Sequence, residues 1–144
     1  MRMVGPESAS RSERGEGPDG GTRGSISRRI VQLHKEFYGK GPTKAKTYYS
    51  GDLVVVLMRG GFTRVEETLL EKGRGESVIQ QRMHFQEVMV DRFKQVVEEE
   101  TGRTVVAMMS GSHQHPDLLS EMFVLAPTDI LVDEHLDGSN PDAV

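Results

Sequence analysis

Six consecutive apolar residues, Leu53-Val54-Val55-Val56-Leu57-Met58, stand between Ser50-Gly51-Asp52 and Gly60-Gly61, and this run limits the fold most sharply. It is too short for a core helix and rich in β-branched residues, so it reads as a strand. A strand without alternation is expected where both faces are covered. It is also far too short to cross a bilayer. The stretch from Lys44 to Tyr49 interleaves Thr and Tyr with polar residues, and Ser50-Gly51-Asp52 supplies a tight turn, so the two strands are expected to form a hairpin.

Upstream, Ile26, Ile30, Leu33 and Phe37 recur at helical spacing and predict a helix from about Ser27 to Tyr38, stopped by Gly39, Gly41 and Pro42. Downstream, Thr63 and Glu66 form a capping box that starts a short helix, closed by Gly73-Arg74-Gly75. A long helix is expected over residues 76–100. Val78, Ile79, Met83, Phe85, Met89, Val90, Phe93, Val96 and Val97 share one broad side of it, and only Val88 strays. Glu98, Glu99 and Glu100 end it against the helix dipole, which calls for a basic neighbour such as Arg103. Strands over 104–109 and 121–125 complete the order α-β-β-α-α-β-β. All nine glycines between 25 and 127 fall at joints between these elements. The order predicts an α+β domain, an antiparallel four-stranded sheet with helices on one face. It is compatible with a helix–hairpin unit used twice, over 27–58 and 79–125. The uncovered face of the sheet then meets a second chain, which predicts a homodimer.

Charge divides the chain into the same parts. Residues 1–24 hold four Arg and four acids among six Gly, and are expected to be disordered. Residues 128–144 hold five acids and no Lys or Arg, and are read as a flexible acidic tail. The domain over 25–127 is left with 14 bases and 13 acids, too balanced for a nucleic-acid binder. With no cysteine there are no disulfides, thiolate metal sites or cysteine nucleophiles, and a reducing, cytoplasmic compartment is expected.

Candidate chemistry is dispersed. His113, His115 and Asp117 alternate, so in extended backbone two imidazoles and a carboxylate face one way, as a metal site requires. The competing reading is an ordinary hairpin loop. Gly39-Lys40-Gly41-Pro42-Thr43-Lys44 has the wrong flanking elements for a phosphate loop, but Lys40, Lys44 and Lys46 form a basic rim for an anionic partner. Arg74, at the opening of the long helix, is a second anion candidate, with Arg82 and His84 further along it. A helical histidine such as His34 or His84 is more often a boundary residue than a catalyst. No serine or histidine has the partners of a nucleophile–base pair, so no catalytic residue is assigned and no cofactor is implied. The methionines Met83, Met89, Met108, Met109 and Met122 read as core filling.

The dispersed motifs together resemble a known family. Gly39-Lys40-Gly41-Pro42, Asp52 through Leu57, Phe62-Thr63 with Glu66 and Leu69, Arg82 through Phe85, Thr101-Gly102-Arg103 and Glu121 through Leu125 are similar to the MpsC-like family, over roughly residues 25–126. The family was formerly a domain of unknown function. The resemblance implies a component of a sodium-translocating, membrane-potential-generating system, linked in some bacteria to inorganic carbon supply. It carries no enzymatic residues with it. For a chain without a membrane span it implies a non-catalytic accessory module, peripheral to the inner face of the membrane and in contact with a transport complex. The alternative is a regulatory domain that binds a small anion or a metal.

Overall fold

The computed structural model describes residues 17–127; residues 1–16 and 128–144, which include most of both predicted tails, lie outside the described residues. Seven elements follow one another: α1 (Gly17–Tyr38), β1 (Lys44–Ser50), β2 (Leu53–Arg59), α2 (Arg64–Glu71), α3 (Gly75–Thr101), β3 (Val105–His113) and β4 (Leu118–Leu125). The fold is α+β with the expected order. The four strands form one antiparallel sheet in the order β1-β2-β4-β3. Two hairpins therefore meet through their second strands, the arrangement a duplicated helix–hairpin unit gives.

Helices α1 and α3 cover one face. Ile26 and Ile30 from α1 pack with Met89, Phe93, Val96 and Val97 from α3. Beneath them lie Val54, Val56 and Met58 of β2, Val105 of β3, and Leu119, Phe123 and Leu125 of β4. Each strand contributes alternate residues because successive side chains point to opposite faces. The register pairs Val56 with Glu121 and Val54 with Phe123, which lines both central strands up under the helices.

The ends of the helices have local causes. Thr63 Oγ1 accepts from the Glu66 amide at 3.1 Å and Glu66 Oε1 accepts from the Thr63 amide at 3.0 Å, the reciprocal cap expected of this pair. Gly102 ends α3 in the left-handed region at φ 72°, where a side chain would be strained.

Several expectations are corrected. Helix α1 begins at Gly17, ten residues ahead of Ser27, so the boundary drawn at residue 24 falls inside it. The β2 run is covered on one face only: Leu53 is 40% exposed and Val55 and Leu57 are half-buried. Ile79, Met83 and Met109 are exposed instead of filling the core, because Ile79 and Met83 sit one position off the buried Val78–Arg82–Gln86 stripe of α3 and Met109 faces the side of the sheet that no helix covers. The acidic end of α3 is balanced by Arg29, whose guanidinium reaches Glu99 at 2.7 Å and Glu100 at 2.9 Å. Arg103 instead holds the β1–β2 turn, through Asp52 and the Gly51 carbonyl.

Candidate functional site

Three elements converge on Arg82, which lies on the buried side of α3 and is 3% exposed. Its Nε donates to Glu66 Oε2 at 3.0 Å and its Nη2 to Glu66 Oε1 at 3.1 Å, a two-pronged pairing with the first turn of α2. Its Nη1 donates to Asp117 Oδ1 at 3.0 Å, just before β4. The guanidinium also stacks over the Phe62 ring, 4.4 Å from its centroid. Glu66 is fully buried and its acceptor sites are filled: beyond Arg82 and the Thr63 amide, the Tyr38 hydroxyl donates to it from the end of α1. The Tyr38 oxygen in turn accepts from Gln81 Nε2 at 3.0 Å.

These contacts set the protonation of the cluster. Burial by itself pushes the Glu66 carboxyl up, but the Arg82 and Tyr38 hydrogen bonds, the Thr63 amide and the Arg82 charge outweigh it and hold the pKa below its ordinary value. Burial works against the Arg82 charge as well, yet Glu66 and Asp117 keep its pKa raised. The Tyr38 hydroxyl is pushed up to about 12, first by burial and then by the neighbouring carboxylate. Glu66 and Arg82 are therefore both ionised near pH 7 and balance one another's charge.

A small cavity lies beside it, lined in part by His34, Tyr38, Lys40, Arg82, Phe85 and Gln86. The space open to a water's centre there is about 10 Å³, room for one water. His34 is 2% exposed, lies flat against Phe93 and has Nδ1 3.0 Å from the Ile30 carbonyl. A carbonyl only accepts, so Nδ1 carries the proton and Nε2 presents a lone pair. That Nε2 has no hydrogen-bond partner, and neither has the buried Oδ2 of Asp117. Burial lowers the His34 pKa and the Arg82 charge adds to the effect, so the ring is neutral at pH 7. Further along α3, Gln86 donates to Glu121 Oε2 at 3.2 Å and Ser110 bonds the other oxygen. Burial pushes the Glu121 carboxyl up to about 7, against these two hydrogen bonds.

The predicted site residues separate on this frame. Arg82 and Asp117 are brought together, as partners in an ion pair, so the Arg82 charge is already matched. Lys40 lines the same cavity and donates to the Phe62 carbonyl at 3.2 Å. Lys44 sits apart at the exposed start of β1, in an open groove with Lys46 and Arg59. Arg74 precedes α3 without a capping side-chain bond, and His84 is exposed on that helix. His113 Nδ1 donates to the Pro116 carbonyl at 2.8 Å, and His115 precedes a cis peptide bond to Pro116. Among the described residues no group of three His, Asp or Glu side chains is placed to hold a metal.

Sequence reasoning missed the roles of Glu66, Tyr38, His34 and Glu121. Two signals were present. Arg82 follows Val78 by four residues on the apolar side of α3, and Glu121 alternates with Leu119, Phe123 and Leu125. A charge on a buried stripe requires a partner.

The family model described as the Na+-translocating membrane potential-generating system (MpsC) matches residues 20–127. The chain belongs to the MpsC family. No curated protein and no solved structure matches it. The matched range of this MpsC-family chain spans every strand, the Glu66–Arg82–Asp117 cluster and the cavity beside it. No helix among the described residues is long and apolar enough to cross a membrane.

Proposed function

We propose that this MpsC-family domain is a non-catalytic accessory module that dimerises and docks, at the inner face of the membrane, on a sodium-translocating assembly. The observation that carries the reading is the uncovered face of the sheet. Tyr48, Leu53, Val55, Leu57, Met122 and Met109 lie on it across all four strands, half-buried or exposed, with no helix over them. A contiguous apolar face of this kind marks a protein–protein contact. The polar cluster supports the same reading from the other side. Glu66, Arg82 and Tyr38 have their hydrogen bonds made with one another, which suits a structural lock between α1, α2 and α3.

The test is a charge placed at the centre of the face. Val55→Glu is half-buried beside Met122, and is expected to abolish the dimer in light scattering while leaving the circular dichroism of the fold intact. The same variant is expected to lose co-purification with the membrane transport subunits that the unsubstituted protein retains. A monomeric unsubstituted protein that binds no membrane fraction would end the proposal.

A further inference from the structure

The β1 side of the uncovered face carries a cationic groove, which shares Tyr48 and Leu57 with the docking surface and adds Lys44, Lys46 and Arg59. Lys44, Lys46 and Tyr48 alternate along β1 and project to the uncovered face, all exposed. Arg59 stands opposite Lys44 and Leu57 opposite Lys46 on β2. Together with Thr43 and Ala45 they line an open groove of about 580 Å³. The Lys46 ammonium lies 5.2 Å from the centre of the Tyr48 ring. Among the described residues, no carboxylate forms an ion pair with any of the three cations. β1 is also an edge strand, hydrogen-bonded on one side only, and such an edge accepts an extended segment.

Complementary chemistry occurs within the same chain. Residues 128–144 contain Asp129, Asp133, Glu134, Asp137 and Asp142 with no Lys or Arg, and Ile130, Leu131, Val132 and Leu136 among them. In an extended chain Asp129, Asp133 and Asp137 fall on one side, at twice the two-residue spacing of Lys44, Lys46 and Tyr48 on β1.

The place where the chain leaves the sheet fits this seat. The Leu125 amide donates to the Asp52 carbonyl at 2.8 Å, and Arg103 holds the Ala126 carbonyl at 2.9 Å while binding the β1–β2 turn. Residue 126 thus stands at the Ser50 end of β1. From there the groove runs back to Lys44 over six residue steps, roughly 20 Å. Seventeen extended residues reach roughly 55 Å, enough to pass β2 and β1 at about 5 Å each and follow β1 to its start. We propose that the acidic segment 128–144 binds the Lys44–Lys46–Arg59 groove of its own chain, running antiparallel to β1.

The full chain has no cysteine, so Ser139→Cys introduces a single site for a paramagnetic label. At low salt the label is expected to erase the amide signals of Lys44 to Thr47 and of Leu57 to Arg59, with the α3 signals intact as a control for folding. Salt near 1 M, where screening acts within about 3 Å, is expected to restore them. Lys44→Glu with Lys46→Glu is expected to abolish the effect at low salt, and exchanging Asp133 and Asp137 for Lys in that variant is expected to bring it back. Full-intensity β1 signals at low salt would overturn the proposal. So would broadening that persists in the Lys44→Glu/Lys46→Glu variant, or that grows with protein concentration and so comes from a second copy.

Discussion

Replacing Arg82 with Met keeps the unbranched stem of the side chain and removes the guanidinium whose charge joins three elements. The variant loses three charge-assisted hydrogen bonds, at 3.0, 3.1 and 3.0 Å, and leaves Glu66 fully buried without its cation. Asp117, whose side chain is 12% exposed, loses the same partner. Removing one member of a buried ion pair costs about 3–5 kcal/mol, because the remaining charge is desolvated and uncompensated. That is a large part of the 5–15 kcal/mol typical of a folded domain. At roughly 4 °C per kcal/mol for a domain of this size, the melting temperature falls by about 12–20 °C. The loss also depends on pH. In the unsubstituted protein the Glu66 pKa is depressed below 4.5, so its contribution is present above that pH and is lost as pH falls through the folded value. In the variant, burial dominates and raises the Glu66 pKa, so stability is lost as pH rises. The deficit therefore widens from pH 4 to pH 7. Urea denaturation followed by circular dichroism at both pH values measures it. A deficit under about 1 kcal/mol at pH 7, the range of exposed ion pairs, would refute the assignment of a buried, mutually dependent cluster.

Three further outcomes follow from neighbouring groups. Glu121, raised to about 7, binds a proton in the folded state that the unfolded chain releases near 4.5, so stability is full below 4.5 and declines as pH rises through 7. Glu121→Gln is expected to remove that decline, on the order of 3 kcal/mol, and to be the more stable form at pH 8 in urea titrations. His34 has a lowered pKa, so its stabilisation is full above 6.5 and is lost as pH falls toward the folded value. Nitrogen-15 spectra of its ring are expected to show the Nδ1–H tautomer unchanged between pH 8 and 6.5, and a ring titrating at 6.5 or above would contradict its burial. Gly61 holds φ +100°, and an added Cβ would lie 3.1 Å from the Pro42 Cα. Gly61→Ala is expected to cost about 1–3 kcal/mol, read as a lower melting temperature, by straining the loop that lines the cavity.

Much of the site was legible residue by residue but not as a whole. The Thr63–Glu66 cap could be read from spacing, because both partners lie within one helical turn. The second task of Glu66 could not, because Arg82 is 16 positions away and Asp117 is 35 beyond that. Alternation made His113, His115 and Asp117 look like one ligand set. The fold instead points Asp117 at α3 and engages His113 with the carbonyl of Pro116.

Local chemistry alone determined which stretches become helices and strands, where the capping box and most glycines end them, and that two hairpins alternate with two long helices. These depend on periodicity and on backbone constraints within a few residues. Gly111 instead lies inside β3, paired with Ser120. Tertiary structure decided which side of each strand is covered, since an apolar run such as Leu53–Met58 reads the same whether one face or both are packed. It also decided that Arg29, and not Arg103, balances the end of α3, and that Arg82 faces two carboxylates. Such pairings depend on how distant elements stack, and the short-range pattern of a chain carries no record of that distance.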